Sequence, residues 1–300
     1  MDLAERIVEF VAHASMEVTS HDRSTRQELI GRLAEGTTVY VAHTPNSTIA
    51  DVADVACEVE NEGFSACPHI VARRIRNDGE LENMLARMQK CGIQRALLVA
   101  GDQNPPLGTF ASSLDLLATG SLAAHGFSML GVAGYPEGHQ RITDVVLWAA
   151  LQEKQRHADR SEAQLHVVTQ FSFDAAAIVG WVRQLDGHDI RLPVHVGIMG
   201  PATIGTLIRY ARLCGIGKSL RALTNRVAEP GVLRGLTTTA EEMLVHIARE
   251  WQREQAGRIV QPHFFSFGGV ARTARWLQAL RKGDFDVDSR AGRLAVHPAE

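Results

Sequence analysis

Eight short apolar runs, most of them followed by a stretch with helical spacing, constrain the fold of this 300-residue chain more than any other feature. They are SMEVT (Ser15 to Thr19), TTVYVAH (Thr37 to His43), ACPHIVAR (Ala66 to Arg73), RALLVAGD (Arg95 to Asp102), SMLGVAGYPEGH (Ser128 to His139), QLHVVTQF (Gln164 to Phe171), LPVHVGIM (Leu192 to Met199) and QPHFFSFGG (Gln261 to Gly269). Strands that alternate with helices pair in parallel, because each parallel neighbour has to be reached by a crossover. Eight such units over ~250 residues predict an α/β fold of the (β/α)8 TIM-barrel type. That fold carries its chemistry at the C-terminal ends of the strands.

The segments between the runs are read as helices from their apolar spacing. Asp2 to Ala12 predicts a short N-terminal helix over the barrel bottom. Arg26 to Ala34, Ile49 to Val59, Leu81 to Met88, Leu114 to Ala123 and Val145 to His157 follow the same pattern. Asp174 stands where an N-cap would open a helix to Leu185, and Pro201 precedes ATIGTLIRYARL. The longest insertion, at about 215–258, is expected to hold two helices, the second being TAEEMLVHIAREWQREQ. VARTARWLQALR closes the barrel, and the tail from Asp284 to Glu300 reads as loop. The whole of 1–300 is expected to form one domain.

Composition narrows the class of function. Lys and Arg total 31 against 34 Asp and Glu, a net charge of −3 that offers no footprint for nucleic acid or an anionic membrane. Cys57, Cys67, Cys91 and Cys214 form no CxxC pair, so they read as reduced core or helix residues, with no metal site among them. No run approaches ~18 apolar residues and the start, MDLAERIVEF, is unlike a signal peptide, which points to a cytoplasmic protein.

At the predicted strand ends stand Glu17, His43, His69 with Arg73, Asp102, Tyr135 with Glu137 and His139, Gln170, Met199 and Phe267. Buried strands favour apolar residues, so polar ones at the ends of Val/Leu/Ile-rich runs need partners or a ligand cavity. Glu17, in an otherwise apolar strand, is the sharpest case. A cluster at one rim reads as a site.

Three segments, GIQRALLVAGDQNPP, AGYPEGH and VVTQFSFD, are similar in order and spacing to motifs of the methylenetetrahydrofolate reductase family. PHIV around His69 and HFFSF around His263 match two further strands, and Met16-Glu17-Val18 falls at the family's FEFFPP signature. The resemblance runs from about Ala14 to about Leu280. It implies a barrel that binds FAD and reduces 5,10-methylenetetrahydrofolate to 5-methyltetrahydrofolate, with NAD(P)H as the usual electron donor. Carried over by position, Glu17 is the glutamate that promotes protonation of the folate, and Asp102 and Gln170 contact substrate. His69, Asp102, Tyr135, His139, Asp144 and Lys154 fall on FAD-binding positions, and Thr44 is a looser match.

Each assignment has a plain alternative. Glu17 could make a rim salt bridge, Asp102 an N-cap after Gly101, and Gln170 a strand-end hydrogen bond. Lys154 could be a solvated helix lysine, and His125, His157, His188 and His246 read as surface or loop residues. The sequence also departs from the family. VTSH (Val18 to His21) replaces FFPP, Ala100 stands for the arginine before GD, and the last strand ends in FGG with Arg272 beyond it. These positions leave open whether the donor is NADH or another reduced protein, and whether the chain is a homo-oligomer. A flavin-free folate or pterin methyltransferase barrel and a non-catalytic partner subunit are the competing classes.

Overall fold

The strands β1 (Ser15–Thr19), β2 (Thr38–Ala42), β3 (Ser65–Val71), β4 (Arg95–Val99), β5 (Met129–Gly134), β6 (Gln164–Thr169), β7 (Val194–Met199) and β8 (Ile259–Phe265) close into one parallel barrel in chain order. The computed structural model describes residues 2–19, 29–213, 216, 240–253 and 258–298. Closure is made by β1 against β8, with Ser15 opposite His263 and Met16 opposite Phe264. All eight predicted runs are strands, with ends displaced by a few residues.

Side chains alternate across each strand. Met16 and Val18 point outward into the main apolar core, which packs the barrel against its helices. Ser15, Glu17 and Thr19 therefore face the lumen. There Tyr40, Cys67, Leu97 and Val168 form a second, smaller cluster inside the barrel.

The helices start where their caps dictate. α1 (Leu3–Ala12) has a reciprocal capping box between Asp2 and Glu5, and buries Leu3, Ile7, Phe10 and Val11 on one stripe. α2 (Ile49–Asn61) has the same device in Thr48 and Asp51. α3 (Asp78–Lys90) is capped by Asn77. α6 (Asp144–Ala158) follows β5, and α7 (Ala175–Gly187) starts on Asp174, whose carboxylate accepts from the N–H groups of Ala176 and Ala177. Ile204–Leu213 and Ala240–Arg253 are helical, and Val270–Lys282 closes the barrel. Its Arg281 donates to the carbonyls of Val11 and Ala14, which ties the end of the chain to the start of β1.

Four expectations are corrected. The tail is not all loop: Phe285–Asp288 and Arg293–Val296 pair as an antiparallel hairpin, its turn held by Asp288 accepting from Arg290 and Ala291. Leu114 to Ala123 is not one helix but α4 (Ser113–Ala118) and α5 (Ser121–Ala124), because Gly120 adopts a left-handed conformation between them. Leu29 to Leu33 forms turns; 20–28, with the rest of that expected helix, lie outside the described residues. Cys57 and Cys91 are not reduced: they form a disulfide joining α2 to the C-cap of α3, since the two helices pack side by side. Cys67 is a buried free thiol. Of the insertion at about 215–258, the second helix is present as Ala240–Arg253, and the first expected helix lies outside the described residues. No described helix is long and apolar enough to cross a membrane.

Candidate active site

Two groups of side chains come together on the barrel strands and at their C-terminal rim. The first is in the lumen. Glu17, third residue of β1, has its Oε2 3.5 Å from Nε2 of His69 on β3. Both are largely shielded from solvent, and burial, reinforced by His43, takes the His69 pKa down to about 3. The imidazole is therefore neutral beside the carboxylate. Next to this pair, Ser15 Oγ lies 3.0 Å from Nδ1 of His263, whose ring packs 4.4 Å from that of Tyr40.

The second group lies at the rim after β4, β5 and β6. Asp102 follows Gly101, whose positive φ suits glycine and whose missing Cβ leaves space for Val71, 2.3 Å from where that carbon would stand. No helix starts at Asp102, so it is not an N-cap; the next helix, α4, is capped at Ser112. Its charge reaches Tyr135, whose pKa is raised by burial first and by Asp102 second. Tyr135 meets His139 edge-on at 5.3 Å. His139 Nδ1 accepts the N–H of Arg141, so the neutral ring carries its proton on Nε2. Its pKa is lowered, chiefly by burial. Gln170 is tied to the same turn by its backbone N–H, which donates to the carbonyl of Gly134.

Behind this rim, between β5 and helices α6 and α7, lies a cavity of about 330 Å³. Tyr135, Asp144 and Lys154 line it, with Trp148 and Trp181 stacked at 5.5 Å as an aromatic wall. Lys154 is not a solvated helix lysine. It is only 7% exposed, has no ion-pair partner among the described residues, and burial takes its pKa down to about 8. Asp144, on the same cavity, is exposed at the first turn of α6.

With this geometry in view, the sequence profile described as methylenetetrahydrofolate reductase matches residues 16–229, more than half of the chain. The chain belongs to the methylenetetrahydrofolate reductase family. A curated relative, methylenetetrahydrofolate reductase 1 of Schizosaccharomyces pombe, is 26% identical over 139 residues, which are 46% of this chain and 22% of that protein's length. Among solved structures, an uncharacterised protein from Clostridium thermocellum that binds two copies of 5-methyl-5,6,7,8-tetrahydrofolic acid superposes with a TM-score of 0.56. It shares 10% identity, over 90% of this chain and 98% of that one, which is a likeness of fold.

The reductase-family positions thus fall into three places: Glu17 and His69 in the lumen, Asp102, Tyr135, His139 and Gln170 on the rim, Asp144 and Lys154 around the outer cavity. The sequence reading missed the lumen beneath Glu17. There the Tyr40 hydroxyl and His166 Nε2 are 3.0 Å apart, and the rings of His166 and His195 stack at 4.1 Å. It also missed His188, which is not merely a loop residue, since its ring stacks on Trp148 at 4.1 Å. Gly131 makes room for the His166 ring in the lumen, because a Cβ there would stand 2.9 Å from Leu97 and 3.1 Å from His166 Nε2. Strand parity was the available signal: His166 and Val168 share one face of their strand, as do His263 and Phe265.

Proposed function

We propose that this chain reduces 5,10-methylenetetrahydrofolate to 5-methyltetrahydrofolate with FAD, receiving electrons from NAD(P)H or another reduced donor. Lys154 is the observation that carries the cofactor reading. A buried ammonium with no carboxylate partner is costly, and an anionic ligand would offset that cost. The cavity beside it offers a tyrosine and two stacked indoles, a lining that suits an aromatic group joined to phosphates. Tyr135, His139, Asp144 and Lys154 would hold the cofactor, with His69 and Asp102 nearer its redox end. Once bound, FAD supplies the hydride.

The chain's own residues have the remaining tasks. Asp102 is an acceptor for the amino and ring N–H donors of a pterin, and Gln170 both donates and accepts. Glu17 delivers a proton to the folate nitrogen whose bond to the bridging methylene breaks, leaving the iminium carbon open to hydride. Flavin uptake tests the reading. The purified chain should be yellow, or take up FAD on titration, and release FAD on denaturation. A colourless chain that takes up none would leave the flavin-free folate barrel as the better reading.

A further inference from the structure

The lumen beneath Glu17 is unusual for a barrel of this kind, whose interior is ordinarily filled by branched apolar side chains. Here it holds a phenol and several imidazoles. Tyr40 bonds His166, and His166 stacks on His195, the second residue of β7 and a partly exposed one. Tyr40 also packs against His263 and, edge-on at 6.4 Å, against His69, the neighbour of Glu17. Four buried imidazole nitrogens, Nε2 of His43, His69 and His263 and Nδ1 of His195, have no hydrogen bond within the protein among the described residues. Buried polar atoms without protein partners are ordinarily satisfied by internal water.

We propose that Tyr40, His166 and His195, with water on the unpaired imidazole nitrogens, form a proton path through the barrel to Glu17. The inference rests on the proposed role of Glu17 as proton donor to the folate. Each turnover leaves Glu17 as a carboxylate, and a folate seated at the strand mouth covers its direct route to solvent. The lumen supplies a second route. A proton enters His195 at one ring nitrogen while the other nitrogen releases one through water to His166. Nε2 of His166 passes a proton to the Tyr40 oxygen as the phenol gives its own onward through water to the Glu17 carboxylate. One proton leaves bulk water, one reaches Glu17, and no charge stays in the column.

The surrounding charges suit a relay. Burial is the first cause that lowers the pKa values of His166, His195, His263 and His69; His195, Arg95 and His263 add to it for His166, Arg95 for His195, His69 and His195 for His263, and His43 for His69. All four are neutral near pH 7, each with one donor and one acceptor nitrogen, so none traps the proton. Arg95 is a fixed positive charge. Cys67, which touches Tyr40, has its pKa pushed up to about 12 by burial and stays protonated. Tyr40, also raised by burial, remains a phenol.

Two measurements test the path. The first needs no turnover: imidazole N–H signals of His166 and His195 in the full-length chain should show exchange with water in nitrogen-15 spectra, slowed at least tenfold for His166 in His195→Asn. Absence of exchange in the parent chain, or exchange unchanged in the variant, overturns the proposal. The second follows the folate half-reaction of FAD-loaded protein. Tyr40→Phe keeps the ring, so FAD affinity should hold. The half-reaction should slow by about tenfold or more and gain a solvent deuterium isotope effect. His195→Asn should reproduce both changes; if both variants match the parent, the path does not serve Glu17. If the parent chain reduces no folate, the proposed function fails, and the exchange measurement still decides whether the column conducts.

Discussion

Glu17 Oε2 and His69 Nε2 stand 3.5 Å apart in the barrel lumen, an acid and an imidazole that burial keeps neutral. A neutral imidazole gives Glu17 a polar neighbour without the positive charge that would favour its ionised form. Replacing His69 with Gln keeps a polar neighbour and removes the ring. The expected outcome is a shifted pH profile for folate reduction together with weaker FAD binding. A lost FAD site with an unchanged profile would instead make His69 a cofactor contact only. Absorbance titration with FAD and stopped-flow rates between pH 5 and 9 separate the two.

Lys154 makes opposite predictions for stability and binding. Its pKa falls from 10.5 to about 8, so the folded chain holds that proton less tightly than the unfolded chain does. The burial penalty is fully present below about pH 8 and is relieved as pH rises from about 8 toward 10.5. The shift corresponds to about 3 kcal/mol. Lys154→Met should therefore raise the urea midpoint of the flavin-free chain at pH 7, by roughly 1–3 kcal/mol of stability. The same change should weaken FAD binding at least about tenfold, because it removes the cation that an anionic ligand would meet. A variant less stable and still tight for FAD would show that Lys154 has a hidden structural partner.

The lumen histidines make the fold sensitive to acid. His69 at about 3 and His195 at about 4 lie below the ordinary value of 6.5, and His166 and His263 are also well below it. Folding excludes protons that the unfolded chain takes up, so the stability present above pH 6.5 is lost as pH falls toward 4. Each such histidine contributes a slope of roughly 1.4 kcal/mol per pH unit inside its window. Urea titrations from pH 7.5 to 4.5 should show a steep decline, shallower in His195→Asn. A flat parent curve would mean that the lumen accepts protons without loss of packing.

The barrel was legible in the sequence because strand ends, caps and apolar spacing all agree on eight alternating units. Glu17, Tyr135 and His139 could be picked out because each breaks an apolar or Gly-rich run. Other features depend on partners far away in the chain. Cys57 and Cys91 are 34 residues apart, and only the packing of α2 against α3 brings them together. The terminal hairpin has alternately half-buried residues, too weak a pattern to separate from loop. Lys154 reads as a surface lysine until the walls of its cavity, drawn from β5, α6 and α7, are assembled. His166 and His195 look like polar breaks in two strands, and their stacking appears only when β6 and β7 pair.

The assignment of Glu17 as proton donor is tested most directly by Glu17→Gln with the two half-reactions timed separately by flavin absorbance. Hydride delivery from the donor to FAD needs no proton from Glu17, whereas opening the folate to its iminium does. The expected result is a variant that binds FAD, is reduced by its donor at the parent rate, and transfers electrons to methylenetetrahydrofolate at least about a hundredfold more slowly. Equal slowing of both half-reactions would make Glu17 a structural or cofactor residue, and an unchanged folate rate would remove it from the chemistry altogether.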